Sequence, residues 1–243
     1  MIDFGIVGWV LNRYNQRVAD RRMKAGKKSY SQSGEDLIVD FILEHHLRIP
    51  KPTYLDIGAH EPTYLSNTYH FYEKGCNGVC IEPDRFLFEA FKKKRKRDLC
   101  LNVGIGFEQQ SRASFYVMST KSLSTFSKSE AERYQSYGEH RIEQVILVDL
   151  IPINTVLNDN FPICPNFISL DVEGLDYEIL RSMDFKKYRP EIFCVETITF
   201  TEDKSETKVV EIISFMESQG YFVYADTCIN TIFVDKCAWQ KRQ

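Results

Sequence analysis

Three acidic positions in this 243-residue chain stand where apolar runs stop. In "YLDIGAHEPTYLS" (54–66) a run containing Asp56 enters a single glycine, Gly58, and then a polar loop with His60. In "NGVCIEPD" a second run stops at Glu82, 24 residues after Gly58. In "NFISLDVEG" a third stops at Asp171, with Glu173 and Asp176 close behind. A carboxylate placed like Glu82 can accept two hydrogen bonds, from the 2′- and 3′-hydroxyls of a ribose. A carboxylate that ends an apolar strand, like Asp171, needs a partner if it is buried. Beside a substrate hydroxyl, Asp171 or Glu173 can take a proton. Acids that lead into a helix also have a plainer use against its dipole, which suits Asp176 best.

The elements around these positions alternate. "YSQSGEDLIVDFILEHHL" reads as a helix, with Ser33 and Asp36 as a capping box and Leu37, Ile38, Phe41 and Ile42 on one apolar face. Five strands follow, in "TYLDIGAH", "NGVCIEPD", "DLCLNVGI", "NFISLDVEG" and "EIFCVET". Helical patterns separate several of them, which predicts a parallel sheet covered on both faces. "YFVYADTC" and "NTIFVDKC" lie so close together that they predict an antiparallel hairpin. The fold expected is therefore α/β and Rossmann-like: a doubly wound, mostly parallel seven-stranded sheet ending in an antiparallel hairpin. Between the third and fourth strands lies a long polar stretch, about 111–150. Its ends, "ASFYVM" and "QVILVDL", read as extra strands, and its Ser-rich middle reads as a lid over a site.

In such sheets ligands bind at the carboxyl ends of the strands, where the strand order reverses. The loop at Gly58 lacks the three glycines of a dinucleotide site, and no G-x-x-x-x-G-K-[ST] phosphate cradle is present, which argues against NAD, FAD and ATP. One glycine followed by Glu82 fits an adenosine without phosphates. S-adenosylmethionine (SAM) is such a molecule, and acidic residues suit its sulfonium cation and amino-acid head.

Composition narrows the class. Apolar residues make up 43% and charged residues 27%, as in soluble globular proteins. The net charge of −3 argues against a general nucleic-acid binder. The seven cysteines include no C-x-x-C pair, so they read as free thiols, mostly buried, in a reducing cytosol. No apolar run reaches the ~18–20 residues of a membrane span. Residues 1–28 differ from the rest: an apolar segment, Phe4–Leu11, precedes seven basic residues, giving a local charge of +5 and leaving −8 on the remainder. A signal peptide has the opposite order. The segment reads as a basic amphipathic helix that packs on the domain or a second subunit, or lies on an anionic membrane surface. The run "KKKRKR" at 92–97 reads as a solvated helix end rather than an RNA site, because no aromatic residues interleave it.

The stretches "YSQSGEDLIV", "YLDIGAHEPTYLSNTYHFYEKGCNGVCIEPD", "CLNVGIG", "LSTFS" and "FISLDVEGLDYEILRSMDF…YRPEIFCVE" occur in an order that resembles the FkbM family of class I SAM-dependent methyltransferases. The resemblance covers roughly residues 29–200, within a domain expected over 29–243. It implies that Asp56 and Gly58 floor the methionine portion of SAM and that Glu82 holds the ribose. Asn102, Gly104 and Ile105 would lie beside adenine. Gln32, His60, Ser66 and Asn67 are further candidates, although His60, Glu61 and Pro62 stand where the family often has Asn and Gly. Asp171 or Glu173 would be the base, with His140 and then His60 as alternatives. Some class I O-methyltransferases bind Mg²⁺ at the ends of the fourth and fifth strands, which here carry Asp171 and Glu196. The family is linked to O-methylation, often of sugars in polysaccharides or of other natural products. The function expected is therefore cytoplasmic O-methylation of a saccharide or related precursor. Its rivals are RNA methylation and a non-catalytic scaffold, and a homodimer is compatible with each.

Overall fold

The computed structural model describes residues 26–107, 111–198 and 206–241. The helical extension expected over 1–28 thus lies outside the described residues, apart from 26–28, which have no regular structure. In chain order the elements are α1 (Glu35–Phe41, continued by a π-helical turn, Ile42–His46), β1 (Tyr54–Ile57), α2 (Tyr69–Glu73), β2 (Gly78–Ile81), α3 (Arg85–Lys94), β3 (Leu99–Leu101), β4 (Gly104–Gly106) and β5 (Arg112–Met118). They continue as α4 (Lys128–Ser136), β6 (Ile142–Pro152), α5 (Ile153–Asn160), β7 (Phe167–Leu170), α6 (Asp176–Ser182), β8 (Ile192–Glu196), α7 (Val210–Ser218), β9 (Tyr221–Asp226), β10 (Asn230–Asp235) and α8 (Lys236–Lys241).

Seven strands form one sheet in the order β3-β2-β1-β7-β8-β10-β9. The first five are mutually parallel, and β10 is antiparallel to both β8 and β9. This is the Rossmann-like, doubly wound sheet with a closing hairpin. The chain leaves β1 for β2 and β3, then returns to pair β7 on the other side of β1. The order reverses there, and a crevice opens at the carboxyl ends of β1 and β7. Alternate residues feed two cores. Leu55, Ile57, Val79, Ile81, Ile168 and Leu170 pack on one face. Tyr54, Cys80, Phe167, Cys194, Ile232 and Val234 pack on the other. Period-two alternation with both sets buried is what two covered faces require.

Four details depart from the sequence reading. The predicted third strand divides after Leu101, and Gly104–Gly106 joins a second sheet, β4-β6-β5. Glycine permits this: a Cβ at Gly104 would lie 2.4 Å from the Phe126 ring, and one at Gly106 would lie 2.7 Å from Leu150. The capping box does not form on Ser33. Gly34 takes the N-cap position at φ +91° without a side-chain cap, and Ser31 Oγ accepts the N–H groups of Gly34 and Asp36 instead. Of the cysteines, all free, Cys76, Cys80 and Cys194 are buried, but Cys228 and Cys237 are exposed. Lastly, the basic run is only partly a solvated surface. Lys92, Lys93, Lys94, Lys96 and Arg97 are exposed, whereas Arg95 is wholly buried.

Arg95 leaves the end of α3 and reaches beneath β1. Its Nε donates to Asp98 Oδ2 (2.7 Å), and Nη2 donates to Tyr54 Oη (3.1 Å) and Thr68 Oγ1 (2.9 Å). Thr68 Oγ1 in turn donates to Asp56 Oδ2 (2.5 Å). Tyr54 Oη donates to Asp98 Oδ1 (2.8 Å). A buried charge is tolerable only with such partners. Among the described residues no helix is long and apolar enough to cross a membrane.

Arg95→Met strands two buried acids and is expected to destabilise the protein by about 3–5 kcal/mol. Lys94→Met, one residue earlier and exposed, should stay within about 0.5 kcal/mol of the parent. Urea unfolding of the two variants distinguishes a structural arginine from a surface one.

Candidate active site

At the switch point the first loop is pinned from both sides. Gly58 and Ala59 N–H both donate to the Ile81 carbonyl (3.1 Å each), and Asp171 N–H donates to the Ile57 carbonyl (3.1 Å). Gly58 adopts φ +76°, and a Cβ there would fall 1.7 Å from the Asp171 carbonyl oxygen. Only glycine lets the ends of β1 and β7 approach so closely. Above them lies a cleft with about 930 Å³ of empty space, counting its open mouth.

Most of the expected residues meet in this cleft. Asp56, Gly58, His60 and Ser66 line it from the β1 side, with Glu82 from β2. Gly104 and Ile105 line it from β4, and Asp171 and Glu173 from the end of β7. Gln32 stands at the exposed rim, and Asn67 donates to Ser169 Oγ (3.1 Å) in the wall.

Glu82 is 5% exposed. Its Oε2 accepts the His60 N–H (2.8 Å) and its Oε1 accepts the Asp84 N–H (2.7 Å). Each oxygen keeps capacity for one further donor, as a ribose diol would require. Burial outweighs the two N–H bonds and pushes its pKa up to about 8. His60 contributes through its backbone, at φ +52°, and burial of its ring lowers its pKa and favours the neutral imidazole. Burial likewise raises the pKa of Asp56, against the opposing pull of Arg95, Thr68 and Ser169.

Two expected residues lie elsewhere. Asn102 Nδ2 donates to the carbonyls of Glu82 and Pro83 (2.9 Å each), so its side chain is spent bracing the turn behind Glu82 and does not line the cleft. His140 belongs to the insert, where Nδ1 lies 2.9 Å from Thr120 Oγ1, and it does not line the cleft either.

At the far end Asp171, Glu173 and Glu196 each offer an oxygen within 4.8 Å of the others, a geometry that could hold either shared protons or a cation. Glu196 ends β8 beside the cleft without lining it. Burial, then the nearby Asp56 charge, pushes Asp171 up to about 6. Burial and mutual repulsion hold Glu173 and Glu196 well above the usual carboxylate range. Burial and Asp171 push Asp176 up to about 7, even though it accepts the N–H groups of Val172 and Gly174 at the start of α6. Asp176 thus braces the turn before α6, and its raised pKa shows none of the dipole stabilisation expected of it.

The roof comes from the insert, whose Ser-rich middle was expected to cover a site. Phe115, Phe126, Lys121, Ser122 and Ser124 face the cleft. The "LSTFS" stretch carried this signal, since it holds Ser124 and Phe126.

These raised values fix a direction with pH. In the unfolded chain the acids titrate near 3.8 for Asp and 4.5 for Glu. The folded protein keeps their protons longer, so the stability they confer is complete below those values. It is lost as pH rises through about 6 for Asp171, 7 for Asp176 and 8 for Glu82. The melting temperature of the ligand-free protein is expected to fall between about pH 4.5 and 8 in calorimetric scans. Asp171→Asn should flatten the first part of that fall.

The family model described as "Methyltransferase FkbM domain" matches residues 56–223. No curated protein matches the chain. Among solved structures, an O-methyltransferase from Bacillus cereus in complex with S-adenosylhomocysteine (SAH) is 13% identical. It covers 93% of this chain and 90% of its own, with a TM-score of 0.45. A precorrin-6y C5,15-methyltransferase from Geobacter metallireducens GS-15 is 12% identical, covering 76% and 82%, at 0.40. The family match runs from Asp56 on the floor of the cleft through Glu82 and the acids that end β7 and β8 into β9, and by it the chain belongs to the FkbM family of class I SAM-dependent methyltransferases.

Proposed function

We propose that the protein transfers the methyl group of SAM to a hydroxyl oxygen, on a saccharide or a sugar-bearing natural-product precursor. The observation that carries this reading is one cleft with a buried ribose-type carboxylate, Glu82, near one end and a proton-holding acid cluster at the other. The residues present suit the cofactor. Glu82 can receive the ribose hydroxyls, and Gly58 leaves the floor free of side chain. Ile105, Phe115 and Phe126 give an apolar slot for a base, and no phosphate cradle intrudes. When bound, SAM supplies an electrophilic methyl group on a sulfonium.

The remaining work belongs to the chain. A sugar hydroxyl is a poor nucleophile until its proton is accepted. Burial and repulsion from neighbouring acids raise the pKa of all three clustered acids, and of the three Asp171 both ends β7 and lines the cleft, where an acceptor hydroxyl would sit. Asp171 is therefore the base of choice near neutral pH. Lys121, Ser122 and Ser124 offer polar groups of the kind a polyol needs. Holding the hydroxyl in place under the roof supplies much of the rate enhancement by orientation alone.

The same three acids favour one second reading, in which a divalent cation such as Mg²⁺ binds the acceptor hydroxyl. Two or three carboxylates with waters suit that ion. Activity that disappears with a chelator and returns with Mg²⁺ would select it over the proton-accepting role.

Calorimetric titration with SAM, SAH and NAD tests the cofactor site. Micromolar binding of SAM and SAH is expected, none of NAD, and about 10- to 100-fold weaker binding in Glu82→Ala, as for loss of two hydrogen bonds that leaves buried ribose hydroxyls unpaired. Labelled-methyl transfer should then be found among sugar nucleotides and oligosaccharides. Asp171→Asn should abolish transfer while SAH still binds. Transfer to RNA instead, lost on charge reversal of Lys92–Lys96, would replace the saccharide reading. Failure of SAM to bind the intact protein would move the scaffold reading to the front.

A further inference from the structure

A second recess opens behind the wall that closes the cleft on the β1 side. Two segments of backbone make that wall. Ser31, Thr63 and Tyr64 line the recess, while the residues that follow them, Gln32, Leu65 and Ser66, line the cleft. The Ser66 N–H donates to the Tyr30 carbonyl (2.9 Å) and joins the two segments. Asn67, next along, is bonded to Ser169, two residues before Asp171, so the wall stands beside the acid end of the cleft. Leu65 sits at φ +52°, where a residue with a branched side chain is strained. At that bend the chain passes from one side of the wall to the other. Tyr64 is left in the recess, 63% exposed.

The recess has the parts of a carbohydrate site. The rings of Tyr30 and Tyr69 meet edge to face (4.7 Å), and both phenols donate to Glu73 (3.1 Å each), which occupies one oxygen apiece. Lys28 Nζ lies over the Tyr30 ring (4.4 Å). Tyr64 differs from these: among the described residues it meets no ring and no cation, so its faces are open. The C–H face of a pyranose packs on such a ring, and the sugar hydroxyls stay free for polar neighbours. Lys28 and Lys94 also line the recess, are exposed, and have no carboxylate partner among the described residues. One open ring with two unpaired cations fits a sugar that carries a carboxylate. A nucleic-acid strand asks instead for a series of open rings.

We propose that this recess is an acceptor subsite, which binds acidic units of an oligosaccharide beyond the unit that is methylated in the cleft. The inference rests on reading the acceptor as a saccharide. Tyr64 stacks on the face of one sugar, Lys28 and Lys94 pair with its carboxylate or its neighbour's, and the saccharide crosses the wall at Leu65. Pairing at so exposed a place is screened by salt. Sugars held in the recess restrain the unit beside the acids, which is an orientational contribution to transfer. Acidic oligosaccharides are then preferred over neutral ones and over single sugars.

Binding is read without methyl transfer, by calorimetry of the full chain with tetragalacturonate as the probe, in the presence and absence of SAH. A Kd of about 0.1–1 mM is expected. Tyr64→Phe keeps the ring and should bind within about twofold of the parent, whereas Tyr64→Ala should bind about 5- to 10-fold more weakly, as for loss of one aromatic contact. Lys28→Met combined with Lys94→Met should bind tetragalacturonate no better than neutral maltotetraose and should lose the dependence on salt. None of the three positions lines the cleft, so every variant should keep its affinity for SAH within about twofold, which also checks its folding. The proposal is overturned by a parent that does not bind tetragalacturonate, by equal affinity in Tyr64→Ala, or by tighter binding of maltotetraose or of an oligouridylate. Methyl transfer to a saccharide at the same rate in Tyr64→Ala would keep the proposed function and overturn the subsite. Tyr64-dependent binding without transfer to any saccharide would keep the binding site and overturn the saccharide as acceptor.

Discussion

The site depends first on a contact that only glycine allows. The carbonyl of Asp171 lies where a side chain at position 58 would begin. That contact brings β1 and β7 to their ends side by side, and the reversal of strand order at the same place leaves room above them. The loop at 58–60 then carries the His60 N–H to Glu82, and the turn after β7 carries Glu173 to the edge of the same space. Arg95 does the corresponding work underneath. Through Thr68 it reaches Asp56, so the last polar residue of β1 is satisfied from below and the cleft above is left to a ligand.

Collecting acids in one cleft has an electrostatic consequence. Asp171, Glu173 and Glu196 repel one another, and burial withholds the water that would moderate the repulsion. The protein meets this strain with protons. A positively charged ligand relieves it differently, by making ionisation favourable. Under the proposed function, that ligand would be the sulfonium of SAM.

Much of this was legible in the sequence because strands buried on both faces announce themselves as apolar runs, and a carboxylate that ends such a run has few structural uses. Asp56, Glu82 and Asp171 were found that way. Other features were hidden by their neighbours. Arg95 lies inside "KKKRKR", and a run of like charges gives no sign of which member leaves the helix and turns inward. Asn102 ends a strand at the expected depth, yet its amide is taken by the carbonyls behind Glu82, a contact of tertiary origin. The third strand read as continuous because "LNVGIG" keeps its apolar pattern across the break, and the crossing to a second sheet depends on the Phe126 ring 22 residues further on. His140 and Tyr134 both belong to the insert, and only the folded insert decides which of them reaches the acids.

The insert thus carries more of the site than a lid would. Its sheet supplies the aromatic roof, its 120–124 turn supplies polar groups facing the cleft, and its helix holds Glu173. The cofactor end is built by strand ends that the parallel sheet fixes, and its chemistry varies little with what lies above. The acids lie where the two units meet, and Glu173 is bonded to the insert through both its side chain and its backbone. Any acceptor that shifts the insert when it enters beneath the roof also shifts Glu173. Under the proposed function, binding of the acceptor and placement of the acids would thus be coupled through the insert. Changes in the insert can therefore alter acceptor choice and proton handling together without disturbing the floor at Gly58 or the carboxylate at Glu82.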